Sequence, residues 1–145
     1  IMSVKNEFQN EKVNVKIILS ALWVVVMFIY VYADIKTLFQ PEIPEQIISG
    51  IVAGMTISQS FLFAAAILMS IPAIMILLSL ILKPSINRWL NIILSFLHIV
   101  LIIITRLVPG KIWYYYIYYQ SLEAIIHILI IWYAWKWPIQ KESVK

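Results

Sequence analysis

Four stretches of roughly twenty mostly apolar residues, 17–33, 59–82, 89–107 and 113–135, govern what this chain can fold into. A helix rises about 1.5 Å per residue and a bilayer's hydrocarbon core is about 30 Å thick, so each stretch is of spanning length. Composition points the same way. The chain is 63% apolar and 12% charged, with a mean hydropathy of +0.92, whereas soluble domains are about 45–50% apolar and about 25% charged. The lipid bilayer is therefore the expected solvent and the first partner. At 145 residues the chain has room for one integral membrane domain, 1–145, with tails at 1–16 and 136–145. Cysteine is absent, which excludes disulfides, thiolate metal sites and thiol redox chemistry on the chain itself.

The connections predict topology. "KPSINR" separates the second and third stretches, and "RLVPGK", with Pro109-Gly110 as a turn signal, separates the third and fourth. Gaps this short force neighbouring helices antiparallel, so the expected fold is all-α: a four-helix transmembrane bundle of up-down topology. The segment "PEIPEQIISGIVAGMTIS" (41–58) cannot simply extend the second span, because the combined helix would overshoot the bilayer. Pro44 suits a first helical position and Glu45 a first turn. These predict a short extra outer helix between the first and second spans, broken near 56–60. Gly50 and Gly54 form a GxxxG, read as a helix-packing face. A tight contact within the chain is favoured there over a homodimer interface.

Charge sets direction. Lys5, Lys12, Lys16, Lys83, Arg88, Lys136, Lys141 and Lys145 fall on one side, against Lys36, Arg106 and Lys111 on the other. The positive-inside bias places both termini in the cytoplasm, and the same bias explains the net charge of +4 without a nucleic-acid partner. Trp89, Trp132, Trp135 and Trp137 then mark the inner interface, and Trp113 and Tyr114 the outer one. "VYA" at 31–33, behind a basic region and an apolar run, resembles a signal-peptidase site; the expectation is an uncleaved first span.

At about 100° per residue each span carries a polar or small face. Ser20, Trp23, Met27 and Asp34 align on the first. Gln59, Ala66, Ser70 and Ala73 align on the second, with Pro72 as a kink. Asn91, Ser95, His98 and Thr105 align on the third, and Tyr116, Gln120, Glu123 and His127 on the fourth. His98 lies about 14 Å along its helix from Trp89, and Glu123 about 15 Å from Trp113, so both fall near the midplane. An ionised group there costs about 2.5–3.5 kcal/mol on insertion scales, which makes ionisable residues in spans functional candidates. Glu123 and His127 are i,i+4 neighbours and can meet on one helix. Asp34, Gln59, Arg106, Gln120 and the tyrosines of "WYYYIYYQ" gather toward the outer ends, where Asp34 and Arg106 can form a salt bridge. The predicted ligand-binding residues are Glu123, His127, His98, Gln120, Asp34, Tyr30, Tyr116, Gln59 and Trp23. Interior serines and Asn91 are expected mainly as interhelical hydrogen bonds.

No HExxH, GxGxxG, P-loop or Ser-His-Asp pattern is present. Two histidines and Glu123 could in principle ligate zinc, but nothing about their spacing is diagnostic, and neither a metal nor another cofactor is expected. "ALWVVVMFIYVYADI", "LMSIPAIMILLSLILKPSINRWLNII" and "SLEAIIHILIIWYAW" resemble a bacterial family of small four-span membrane proteins of unknown function, loosely DoxX-like. The resemblance extends over nearly the whole chain beyond Val13. It implies fold, topology and a bacterial inner-membrane location, and no catalytic role. The function expected from the residues is binding of a small amphipathic or cationic molecule in an outward-opening pocket rather than catalysis. Glu123 would be its charge partner and the aromatic rings its walls. The alternatives are a proton-coupled transporter working as an oligomer and a lipid or sterol-like membrane isomerase.

Overall fold

A computed structural model describes residues 11–108 and 110–139; Pro109 and the tail lysines Lys5, Lys141 and Lys145 lie outside the described residues. Five helices appear: α1 (Val15–Thr37), α2 (Ile43–Ser49), α3 (Gln59–Ile81), α4 (Pro84–Leu107) and α5 (Tyr114–Trp135). All but α2 are long and apolar enough to cross a membrane. The protein is an all-α, multi-pass membrane protein.

Local chemistry sets the helix ends. Asn14 caps α1 by accepting the Lys16 N–H at 2.9 Å, and Ser58 caps α3 by accepting the Phe61 N–H at 3.1 Å. Pro84 sits in the first turn of α4, where its missing N–H costs nothing. That helix therefore takes in Asn87 and Arg88, which the sequence pattern placed between the second and third spans.

The extra helix between the first two spans is present, but it stops earlier than 56–60 and the GxxxG is not a packing face. Gly50 ends α2 in the left-handed region (φ 74°). Ile51–Val52 then pairs antiparallel with Met55–Thr56 across Ala53 (φ 49°) and Gly54 (φ 78°). Two consecutive positive-φ residues make the type I′ turn that matches strand twist. The glycines serve backbone conformation rather than helix contact. No residue of α2 is buried.

The spanning helices form an up-down square with one edge open. α1 packs extensively on α3 and α5, and α4 packs on α5, whereas α3 and α4 touch sparsely. The apolar core draws Leu19, Trp23, Val26 and Ile29 from α1, Met75 from α3, and Ile126, Ile130 and Ala134 from α5. α4 adds no fully buried apolar side chain. Its buried residues are Asn87, Asn91, Ser95 and His98. Lipid tails are as apolar as leucine, so an aliphatic face supplies no drive for helix association; packing and hydrogen bonds must do it. α4 docks by its polar stripe accordingly.

Those bonds concentrate at the end where α1 begins and α5 finishes. Trp23 Nε1 donates to Asn91 Oδ1 (2.7 Å), Asn91 Nδ2 to Asn87 Oδ1 (2.7 Å), and Asn87 Nδ2 to the Ser79 carbonyl (2.6 Å). All four residues are fully buried. Lys16 Nζ donates to the Leu82 carbonyl (2.7 Å), capping α3, and Ser20 Oγ donates to the Ile76 carbonyl (2.8 Å). One end of the bundle is thus bolted across three helices.

The other end is loose along α3. The expected small-residue face is not the buried one: Gln59, Ala66 and Ala73 are exposed, Ser70 is half-buried, and Pro72, Met75 and Ser79 face the bundle. Pro72 has no N–H to offer the Leu68 carbonyl, so the hydrogen-bond ladder breaks there. Every residue from Gln59 to Leu68 is exposed. Packing on the neighbours ends where the proline interrupts the helix.

Candidate functional site

The space left by α3 is a cavity of about 200 Å³, lined by residues of all four long helices. It lies in the half of the bundle nearer α2. Of the predicted residues, Tyr30, Asp34, His98, Tyr116, Gln120 and Glu123 line it.

Glu123 sits at its depth. Side chains at 116, 120, 123 and 127 share one face of α5 by the i,i+3/i+4 rule, and Gln120, Glu123 and His127 are buried there. Glu123 Oε1 accepts a hydrogen bond from the Tyr30 hydroxyl at 2.6 Å and lies 3.7 Å from His127 Nε2. The first is a short charge-assisted contact across helices. The second is beyond hydrogen-bond range.

His98 closes the same site from α4. Its Nδ1 faces the Leu94 carbonyl at 2.7 Å. A carbonyl only accepts, so Nδ1 carries the hydrogen, and Nε2 is left buried without a partner. Gln120 is arranged alike. Its Nε2 donates to Thr105 Oγ1 at 2.9 Å, and its Oε1 is buried and unpartnered.

Three predicted residues are placed elsewhere. His127 is fully buried one turn beneath Glu123, its ring stacked on His98 with centroids 4.9 Å apart. Trp23 is fully buried another layer down, edge-on to both imidazoles (5.8 Å to His98, 5.5 Å to His127), with its N–H engaged by Asn91. It supports the histidines from below and does not wall the cavity. Gln59 is exposed at the first position of α3 and leaves the site, because that end of α3 stands away from the bundle. Asp34 lies at the rim and, among the described residues, forms no ion pair with Arg106.

The rim is held by one of the "WYYYIYYQ" tyrosines, through partners the sequence pattern did not single out. Tyr115 OH lies 2.9 Å from Thr37 Oγ1 and accepts from Gln40 Nε2 at 2.6 Å, tying the end of α1 to the start of α5. Tyr119, Leu68 and Met69 also line the cavity. Tyr119 was legible as the i−4 neighbour of Glu123, and Leu68 as the residue whose carbonyl Pro72 frees. The arrangement offers acceptors, a carboxylate and aromatic faces in a half-enclosed space. Among the described residues, no three His, Asp or Glu side chains converge as a metal site.

Comparison with known proteins adds one fact. A family of unknown function (DUF6326) matches residues 6–144. The chain belongs to that family. No curated protein and no solved structure matches it. Membership in DUF6326 assigns no activity.

Proposed function

We propose that this DUF6326 protein binds a small amphipathic or cationic molecule in the cavity between its four spanning helices, with Glu123 as the charge partner. The observation that carries the reading is the convergence of Glu123, His98, Gln120 and Asp34 on one half-enclosed space that also exposes tyrosine rings. A carboxylate at that depth costs several kcal/mol unless something compensates it, and a cation against aromatic walls gains about 0.5–2 kcal/mol more. The positive-inside distribution of lysine and arginine supports cytoplasmic termini, so that the cavity faces outward. A bacterial inner-membrane location and DoxX-like architecture belong to the same reading.

Binding is favoured over transport because the half of the bundle beyond His127 is packed solid. Trp23, Asn87, Asn91 and Ser79 are all fully buried there and hydrogen-bonded to one another. A passage through the membrane would have to break that network.

The test uses the purified protein with hexylammonium, hexanoate and hexanol as probes and thermal unfolding as the readout. Hexylammonium is expected to raise the melting temperature of the wild type, as any ligand specific to the folded state does, and to leave Glu123→Gln and His98→Ala unmoved. Equal responses of wild type and both variants, or no response to any probe, would refute the reading.

A further inference from the structure

Among the cavity's described lining residues, the two buried side-chain atoms left without a partner are both acceptors. Gln120 has spent one amide N–H on Thr105, leaving Oε1 without a partner, and Gln120 is 6% exposed. His98 has spent its Nδ1–H on Leu94, leaving Nε2 without a partner, and His98 is 3% exposed. Glu123 offers a carboxylate of which only Oε1 is engaged among the described residues. Each of these is an acceptor. A buried acceptor left unmade costs about 1–3 kcal/mol, so the occupant that repairs this site brings N–H donors and positive charge. A quaternary ammonium supplies the charge without the donors.

The second observation concerns the way in. Leu68 lines the cavity and is 42% exposed. It lies nine residues into α3, about 14 Å from the helix start at Gln59. An opening at that depth meets hydrocarbon, since the apolar core extends about 15 Å to either side of the midplane. It falls along the α3–α4 edge, where the two helices touch sparsely. A volume of about 200 Å³ is below the roughly 300–1,000 Å³ of pockets that enclose drug-sized ligands whole. The site takes a headgroup and a few carbons; anything longer must leave through the gap.

Building on the proposed binding role, we infer that the ligand is a protonated amine carried on a long apolar chain, admitted sideways from the bilayer between α3 and α4. The ammonium donates to Glu123, His98 Nε2 and Gln120 Oε1, and the chain passes Leu68 into lipid.

The experiment measures thermal stabilisation of the protein in zwitterionic nanodiscs by dodecylammonium, dodecyltrimethylammonium and dodecanol at equal membrane loading. Hexylammonium serves as the short-chain control. Dodecylammonium is expected to bind about tenfold or more tightly than the trimethyl compound, the discrimination that charge-assisted hydrogen bonds give. Ala65→Trp, at an exposed α3 position one turn from Leu68 and outside the cavity lining, should weaken dodecylammonium while sparing hexylammonium, which also reports that the variant is folded. Equal binding of the two dodecyl cations, or tighter binding of dodecanol, overturns the amine assignment while leaving a binding cavity. Undiminished dodecylammonium binding in Ala65→Trp overturns the sideways route. Failure of all four probes overturns the inference and the binding role together.

Discussion

The Tyr30 hydroxyl and Glu123 Oε1 stand 2.6 Å apart, joining α1 to α5 at the floor of the cavity. The bond fixes one carboxylate oxygen and leaves the other for a ligand. Interhelical hydrogen bonds in membranes average about 0.6 kcal/mol and reach about 1.7, and those to charged groups lie at the upper end. Tyr30→Phe is expected to cost about 1–2 kcal/mol in reversible unfolding. In a double-mutant cycle with Glu123→Gln, the coupling should fall in the same range. A coupling near zero would mean the two side chains do not hold each other.

The polar bolt at the opposite end should matter more to stability. Asn91→Leu strands the Trp23 N–H and the Asn87 Oδ1 contact at once, and each buried group so orphaned costs about 1–3 kcal/mol. Gln59→Leu, at an exposed position, should change stability by less than about 0.5 kcal/mol. Unfolding in the same detergent compares the two variants directly.

Pro72 is expected to hold the cavity open. Pro72→Ala restores an N–H for the Leu68 carbonyl and straightens α3. Because the chain has no cysteine, spin labels at Ala65→Cys and Ile104→Cys can report the α3–α4 separation without background. The distance should shorten and narrow in the Pro72→Ala background, and hexylammonium binding should weaken.

Topology is open to the same chemistry. Single cysteines at Lys12 and Ile139 should react with an impermeant thiol reagent from one side of the membrane, and one at Gly54 from the other. Labelling of Lys12→Cys and Gly54→Cys from the same side would reject an up-down arrangement.

How much of this was readable in advance follows from what each residue type must do in lipid. The stripes on α4 and α5 were legible because Asn91, Ser95, His98, Gln120, Glu123 and His127 cannot face hydrocarbon cheaply, so their spacing marks the buried side. α3 was not legible. Alanine and leucine are at home both in lipid and against a neighbour, so Ala66 and Ala73 could not say which way the helix turns. Pro72 was visible as a break, but whether the segment before it folds inward or stands away depends on packing the pattern does not encode. Gly50 and Gly54 have the spacing of a helix contact, and only backbone dihedrals reveal a hairpin. The unpaired acceptors on His98 and Gln120 were out of reach for a related reason: each depends on which neighbour, Leu94 or Thr105, takes the donor.

The central claim is that a cation occupies the space beside Glu123, and Ala33, a half-buried lining residue, gives the most direct access to it. The measurement is the rate at which a small thiol reagent modifies Ala33→Cys, with and without hexylammonium. Slow but measurable labelling, slowed several-fold more by hexylammonium and not slowed when Glu123→Gln is added, is the predicted result. A rate indifferent to the amine in both backgrounds would contradict the claim.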